Sequence, residues 1–275
     1  MTLTADSSVL TGLYRYPIKS TAGQALKQAS VGEEGLEGDR RYMVVKPDGT
    51  FITARTHPQL QRVVAQPIDS GLALAHERLG EITAHQRDFV AAPFATGVWG
   101  DEFEALTTTS VLDDWFSQVI GEPARLLWLG QRSPRYRSRI AHRVSFADGY
   151  PVMLISQASL DDLNARMTSE QRMSQFRPNL VIAGTAAYAE DSWKRIRIGA
   201  LEFSVDAPCS RCVMITVDPA TGEFLPRREP LRTLAGYRRG EGGKVYFGQN
   251  LIAHGEGELE LGAPLEVLEI QDGSD

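Results

Sequence analysis

RRYMVVKPDGTFITAR, residues 40–55, is the clearest folding signal in this sequence. Two β-rich runs, residues 42–46 and 51–54, flank the turn-forming residues Pro47, Asp48 and Gly49. Turn residues between two such runs are typical of a β-hairpin. We therefore predict a hairpin here, with an arginine at each end of the stretch.

Further strand signals lie on both sides of this hairpin. Apolar or alternating runs predict strands at residues 124–130, 151–156 and 178–184, hairpins at 63–76 and 194–205, and a final strand pair within 257–270. Helical spacing is rarer. It predicts a helix ending at Gly121, one near 159–167 with a Ser159–Asp162 capping box, and a short one opened by Pro230. Many short strands with few helices indicate a β-rich α+β fold of the barrel or sandwich type.

Composition excludes several classes of protein. Apolar residues make up 42% of the 275 residues and charged residues 23%, which is typical of a globular protein. The net charge of −6 argues against a nucleic-acid partner. The sequence shows neither a signal peptide at its start nor an apolar run long enough to span a bilayer, so we expect a cytoplasmic protein without a membrane partner.

Both cysteines lie in one segment, DAPCSRCVMITVDP, residues 206–219. Cys209 and Cys212 flank Arg211, and the run after Cys212 is rich in β-branched residues, so Cys212 is predicted to open a strand. Four interpretations are open: half of a zinc site, a dithiol redox pair, two buried thiols, or a thiolate ligand to a soft or high-valent metal. The buried-thiol interpretation leaves Arg211 unexplained, because a buried guanidinium needs an anion.

Cationic and polar residues at predicted turns form a second set of candidates. Each candidate has a simpler explanation when it is taken alone: the lysine is solvated, residues 39–41 form a surface ion pair, and Arg177 caps the end of a helix. Together they offer the forked donors, hydroxyl and amide that hold a phosphate. The set consists of Lys19, Ser20, Arg40, Arg177 and Asn179.

Motifs in a fixed order along nearly the whole chain resemble the MOSC-domain proteins, a family that includes bacterial YcbX-like proteins and the mitochondrial amidoxime-reducing components. The motifs are YPIKS (16–20), GLEGDRRYMVV (35–45), FITAR (51–55), VSFADGYP (144–151), FRPNLVI (176–182), AEDSWKRIRIG (189–199), PCSRC (208–212), VDPATGE (217–223), EPLRTL (229–234) and FGQNLI (247–252). This resemblance implies a MOSC β-barrel at residues 121–275. It also implies a smaller β-rich MOSC-associated barrel at residues 1–120, with parts of both forming the site.

The resemblance also implies a cofactor, molybdenum bound to molybdopterin, and a set of residues that bind it. Cys212 would be the molybdenum ligand and a catalytic residue together with Asp148, while Cys209 would be only a neighbour. Lys19, Ser20 and Arg40 would hold the cofactor phosphate. The residues expected to flank or line the cofactor are Asp148, Tyr150, Arg177, Asn179 and Arg211, with Arg55 and Asn250 further out.

The implied activity is the reduction of N-hydroxylated small molecules, namely hydroxylamines, amidoximes and N-hydroxylated bases. The alternative is a carrier of the cofactor or of a persulfide. No cysteine follows Cys212, and no GxGxxG unit for NAD(P)H or flavin is present. Electrons are therefore expected from a separate ferredoxin-type carrier with its reductase.

The polar segment 130–143 carries several arginines without helical or strand periodicity, and we expect an exposed loop. It is either a solvated loop or a docking surface for an acidic electron carrier. The arginines in question are Arg132, Arg135, Arg137 and Arg139.

Overall fold

The computed structural model describes residues 8–271 and is dominated by short strands. The opening residues 1–7, on which the expectation of no signal peptide rests, lie outside the described part. In chain order the strands are β1 Val9–Arg15, β2 Gln24–Ala25, β3 Gln28–Gly32, β4 Gly35–Leu36, β5 Tyr42–Val45, β6 Val64–Ile68, β7 Gly71–His76, β8 Gly80–His85, β9 Pro93–Val98, β10 Asp101–Thr107, β11 Arg125–Trp128, β12 Tyr136–Arg137, β13 His142–Arg143, β14 Val152–Ser156, β15 Leu180–Ala183, β16 Trp193–Ile198, β17 Leu201–Arg211, β18 Val217–Asp218, β19 Glu223–Phe224, β20 Val245–His254, β21 Gly257–Glu260 and β22 Leu265–Ile270. The α-helices are α1 Ser110–Ile120, α2 Gln157–Ala165, α3 Met173–Phe176 and α4 Leu231–Ala235. The predicted strand-rich fold with few short helices is confirmed.

The hairpin at residues 40–55 forms as predicted. The Lys46 amide donates to the Thr50 carbonyl at 2.8 Å, and the Ile52 amide donates to Val44 at 2.8 Å. Gly49 has a φ of 88°, and a Cβ there would lie 2.4 Å from the Ala95 carbonyl oxygen. Only glycine fits a positive φ at such a close backbone approach, so this residue fixes the turn.

An eight-stranded sheet in the order β2-β1-β15-β14-β20-β17-β16-β22 forms the larger body. Only β14 and β15 run parallel within it. Ile196 and Ile198 of β16 alternate toward the core, and Trp193, which lies beyond a bulge at Arg195, joins them in the cluster that holds Phe203 of β17. The period of two in this part of the sequence therefore marks the core-facing side of the sheet.

The second body combines a four-stranded sheet, β5-β11-β10-β9, with a three-stranded sheet, β6-β7-β8, and helix α1. The Thr109 hydroxyl accepts from the Leu112 amide at the start of α1, and Gly121, at φ 84°, ends the helix as predicted. Trp115 and Phe116 point from α1 into the core of this body. Apolar residues at helical spacing thus dock the helix onto the sheets.

The two bodies exchange strands, so neither follows one continuous stretch of chain. Strands β1 and β2 join the eight-stranded sheet, whereas β11, beyond residue 120, joins the four-stranded one. The division at residue 120 therefore stays a prediction. Within residues 8–271, no helix combines the length and apolar character needed to cross a bilayer.

Three local predictions are wrong. Strands β21 and β22 do not pair with each other, because β21 joins β3 and β22 joins β16. Helix α2 begins at Gln157, and its cap is Ser156, whose hydroxyl accepts from the Ser159 amide, so Ser159 lies inside the helix. Cys212 does not open a strand, because β17 ends at Arg211 and the residues after Cys212 form the 3₁₀ helix Val213–Thr216.

Candidate functional site

A cavity of about 890 Å³ opens between the two bodies. Its lining is strongly cationic, with eight basic and two acidic side chains: Lys19, Arg40, Arg55, Arg137, Arg139, Arg177, Arg211 and Lys244 against Asp148 and Glu241. All eleven residues that the resemblance implies line this one cavity. They are Lys19, Ser20, Arg40, Arg55, Asp148, Tyr150, Arg177, Asn179, Arg211, Cys212 and Asn250. Their individual roles stay predictions.

Cys212 is placed at the cavity by the end of β17 and the 3₁₀ turn that follows. Its Sγ accepts a hydrogen bond from Arg55 Nε at 3.1 Å. A guanidinium donor at this distance holds the Cys212 side chain in one orientation at the cavity. Arg55 therefore acts directly on the sulfur, closer than the outlying position expected for it.

Cys209 differs from Cys212 in its surroundings. Its side chain packs against the apolar cluster around Phe176 and Phe247. Burial raises the pKa of the Cys209 thiol, although the charge of Arg211 opposes the effect. Cys209 is thus kept as a thiol among apolar neighbours, whereas the sulfur of Cys212 contacts the Arg55 guanidinium.

Arg211 donates to backbone carbonyls and pairs with no carboxylate among the described residues. Its Nε donates to the Phe247 carbonyl at 2.8 Å, and its Nη1 donates to the Phe176 carbonyl at 3.0 Å. These backbone acceptors satisfy the guanidinium without an anion and tie β17 to β20 and to the end of α3. The expectation that Arg211 needs an anion is therefore wrong.

Asp148 is the main anionic group of the cavity, and more than half of its side chain is exposed there. It accepts hydrogen bonds from Lys19 Nζ at 2.5 Å, Trp99 Nε1 at 2.9 Å and Arg55 Nη2 at 3.0 Å. The cavity walls raise the pKa of the Asp148 carboxyl, but the charges of Lys19 and Arg55 outweigh them and hold that pKa well below its ordinary value. Asp148 is thus an ionised hydrogen-bond acceptor at neutral pH and not a proton donor.

Lys19 is almost fully buried behind Asp148, and its ammonium also donates to the Phe146 carbonyl at 2.7 Å. Burial lowers the pKa of Lys19 to about 8, against the opposing charge of Asp148. The Lys19 ammonium therefore lies in the wall of the cavity and loses its proton close to neutral pH.

Arg40 and Arg177 form a close cationic pair, with guanidiniums at 4.3 and 4.1 Å from the ring of Tyr16. Arg40 donates to Asp39, a fully buried carboxylate, at 2.5 Å and to Asn179 Oδ1 at 3.2 Å. The alternative of a surface ion pair at residues 39–41 is therefore wrong for Asp39 and Arg40. Both arginines have positive φ, 46° and 55°, which is strained for a side-chain-bearing residue.

Arg177 is only partly satisfied by the protein. Its Nη1 donates to the Thr21 carbonyl, whereas its Nη2 is buried and has no hydrogen-bond partner among the described residues. Burial lowers the pKa of Arg177 to about 10, and the neighbouring charge of Arg40 adds to the effect. Arg177 therefore keeps one buried donor that an anionic group could satisfy.

The remaining predicted residues occupy supporting positions. The Tyr150 hydroxyl donates to Asp206 at 2.5 Å, and burial together with Asp206 raises the pKa of Tyr150 to about 12. Asn250 lies across from Ala207 in the β17–β20 pairing, and Ser20 has a φ of 70° at the turn after Ile18. All three face the cavity, and the hydroxyl of Tyr150 is held as a neutral donor.

The segment 130–143 is more ordered than expected, because Arg135 is buried. The side chain of Arg135 is 1% exposed, whereas that of Arg132 is 66% exposed. Arg135 pairs with Asp101 at 2.7 Å and donates to three backbone carbonyls that lead into Asp148. It cannot be part of a docking surface, so that expectation is wrong for this residue.

Several cavity residues escaped the sequence analysis. Trp99 belongs to none of the motifs that mark the predicted site residues, and Arg137 and Arg139 lie in the segment 130–143, for which the sequence predicts an exposed loop. Further lining residues outside the predicted set include Thr53, Met153, Gln175, Met214, Lys244 and Tyr246. An unusual tryptophan at a tight turn was the available signal for Trp99.

Comparisons with known proteins agree with this architecture. A family model of the MOSC N-terminal beta barrel domain matches residues 7–123, and one of the MOSC domain matches residues 141–266. Mitochondrial amidoxime-reducing component 1 of Homo sapiens is 30% identical over 93% of this chain and 82% of its own length. The mouse protein of the same name, from Mus musculus, is 32% identical over 93% and 81%, respectively. Molybdenum cofactor sulfurase of Oryza sativa subsp. japonica is 31% identical over 92% of this chain, which spans 34% of that protein. With these matches the chain belongs to the family of MOSC-domain proteins with an N-terminal β-barrel domain that includes the mitochondrial amidoxime-reducing components.

Proposed function

We propose that this chain binds molybdenum cofactor in the cavity and acts as a molybdoenzyme that reduces N-hydroxylated compounds. The observation that carries the proposal is the single cavity that joins the Cys212 sulfur to the cationic pair of Arg40 and Arg177. The family relatives named amidoxime-reducing components support the reaction class.

The donor set fits a pterin cofactor with an anionic tail. Arg177 Nη2 offers a buried and unused donor, and Arg40 lies beside it. A hydrogen bond between charged groups contributes about 1.5–3 kcal/mol, so a phosphate that accepted hydrogen bonds from the guanidiniums of both Arg40 and Arg177 would be bound tightly. Asn179 keeps Arg40 in place through its side-chain oxygen.

Cys212 would be the protein ligand to the metal. When bound, the cofactor supplies two-electron oxygen-transfer chemistry, and the protein supplies binding and electrostatics. Arg55 holds the Cys212 sulfur and the Asp148 carboxylate at once, through Nε and Nη2. Asp148, ionised and fixed by three donors, offers an acceptor that would orient an N–OH or NH₂ group of the substrate.

Electrons would arrive from a separate ferredoxin-type carrier with its reductase. The chain's two cysteines lie three residues apart in one segment and offer no ligand set for an iron–sulfur cluster. Arg137 and Arg139 line the cavity, and Arg132 is exposed, so these three residues offer the cationic surface for an acidic carrier.

A second candidate is a carrier of the cofactor or of a persulfide on Cys212. The match to molybdenum cofactor sulfurase over most of this chain supports it. Both candidates use the same sulfur, and they differ in what it holds and in whether substrate is turned over.

The test is to purify the protein from cells that make the cofactor and to measure molybdenum, sulfane sulfur and reduction of an amidoxime with a reduced dye as donor. We expect about one molybdenum per chain, dye-driven turnover, and no turnover with NAD(P)H alone. Molybdenum without turnover would favour the cofactor carrier, and labile sulfur without molybdenum would favour the sulfur carrier. NADPH-driven reduction by the isolated chain would refute the need for a separate electron partner.

A further inference from the structure

Trp99 is the one tryptophan of this chain with a largely exposed side chain. It is 52% exposed, whereas Trp115, Trp128 and Trp193 are buried in the cores. The exposed indole lines the cavity. A large apolar surface open to a binding cavity is typical of a ligand contact.

The indole is held in one orientation by its surroundings. It lies at the β9–β10 turn with a φ of 53°, followed by Gly100 at φ 89°. Phe51 packs edge-on at 5.1 Å between ring centroids, and the Arg55 guanidinium lies 4.3 Å from the Trp99 ring. Its Nε1 donates to Asp148 at 2.9 Å. Three contacts therefore fix a ring that would otherwise rotate freely, at a turn conformation rare for a side-chain-bearing residue.

This fixed ring is directly connected to the proposed reaction centre. Arg55 contacts both the Trp99 ring and the Cys212 sulfur, and Asp148 contacts both Trp99 and Arg55. A planar group lying on the exposed part of the indole would thus be separated from Cys212 by a single intervening side chain, that of Arg55. The polar edge of Asp148 would meet the substituent that such a planar group carries.

We propose that Trp99 is a specificity-determining residue that binds the aromatic ring of N-hydroxylated aryl or heteroaryl substrates, so that this chain favours them over alkyl substrates. The proposal rests on the proposed function, which supplies the reaction. Stacking of a planar base on an aromatic side chain is worth about 1–3 kcal/mol, which corresponds to roughly five- to a hundredfold in binding.

Steady-state kinetics on molybdenum-loaded protein tests the proposal. Benzamidoxime and acetamidoxime share the amidoxime group, and only benzamidoxime carries an aryl ring. The ratio of their kcat/KM values therefore measures the contribution of the ring. We expect Trp99→Leu to lower this ratio at least fivefold, mainly through KM for benzamidoxime, and Trp99→Phe to keep most of it. Phe224→Leu is the matched control, because Phe224 is an exposed aromatic residue outside the cavity lining, and its ratio should equal that of the wild type.

Two outcomes would overturn the proposal. An equal fall for both substrates would make Trp99 a positioning residue that acts through Arg55 or Asp148. Loss of molybdenum from Trp99→Leu would assign the indole to the cofactor. If wild-type loaded protein reduced neither amidoxime, the proposed function itself would fail.

A binding measurement tests the contact between a ligand ring and Trp99 without turnover. We expect Trp99 to dominate the quenchable tryptophan fluorescence, because the other three indoles are buried. We expect benzamide, but not acetamide, to shield this fluorescence from acrylamide in the protein as purified. Absence of shielding by benzamide would overturn the proposal even if the enzyme is active.

Discussion

Replacing Arg135 by methionine should destabilise the whole protein and not merely its surface. The guanidinium pairs with Asp101 at 2.7 Å and donates to the carbonyls of Ser145, Ala147 and Asp148 at 3.0, 2.5 and 3.1 Å. Three backbone carbonyls lose this donor, at about 1–3 kcal/mol for each unsatisfied group, so we expect a loss of about 3–5 kcal/mol from the lower part of that range, while Asp101, which is 29% exposed, keeps its contact with Arg137 at 3.2 Å. At about 2–4 °C per kcal/mol for chains of roughly this size, the melting temperature should fall by about 6–20 °C.

Arg132→Ser provides the matched control from the same segment. Arg132 pairs with Glu33 at 2.9 Å, but its side chain is 66% exposed. Exposed ion pairs contribute about 0–1 kcal/mol, so the control should melt within a few degrees of the wild type. Thermal unfolding followed by circular dichroism measures both variants. An Arg135→Met protein that melts with the wild type, or an Arg132→Ser protein that melts as early as Arg135→Met, would refute the structural role of Arg135.

Three further predictions concern the cavity. Cys212→Ser should lose bound molybdenum, while Cys209→Ser should keep most of it; equal loss in both variants, by elemental analysis, would indicate a two-thiolate site. Arg177→Ala should weaken pyrophosphate binding about ten- to a hundredfold in calorimetry, since one buried charged donor is lost; normal binding with early melting would make Arg177 a purely structural cation. Pyrophosphate affinity should fall by up to tenfold per pH unit above pH 8, because Lys19, whose pKa is about 8, loses its charge there and anion binding must then take up a proton; Lys19→Arg should remove this dependence, and an unchanged profile in Lys19→Arg would contradict the assignment.

Local sequence patterns predicted the elements whose partners lie nearby. The turn at Gly49 and the helix stop at Gly121 follow from backbone geometry that few residues other than glycine tolerate. The strands β21 and β22 were predicted correctly as strands, but their partners were not, because alternation fixes which face is buried and not which edge is paired.

The members of the site could be predicted from motif order, but their contacts could not. Arg211 and Arg135 look alike in sequence, as arginines in polar segments, yet both spend their donors on backbone carbonyls. Every residue carries a backbone carbonyl, so hydrogen bonds to these acceptors cannot be predicted from the residue types in a segment. Arg55, expected at a distance, contacts Cys212 directly because the run after Gly49 returns along β5 and leads back to the cavity.

The register of the hairpin at residues 40–55 links the two ends of the candidate site. Arg40 precedes β5 and donates to the carbonyl of Arg177, while Arg55 follows the return run and donates to Cys212. Pairing of Val44 with Ile52 and of Lys46 with Thr50 fixes how far apart these two cations lie along the fold. Strand β5 is buried on both faces, with Tyr42 and Val44 in one core cluster and Met43 and Val45 in another. A slip of one residue would exchange the side chains of the two clusters, so core packing and cation placement select the same register. The turn that encloses Gly49 therefore sets the spacing between the anion-binding pair and the sulfur, although no residue of the turn lines the cavity.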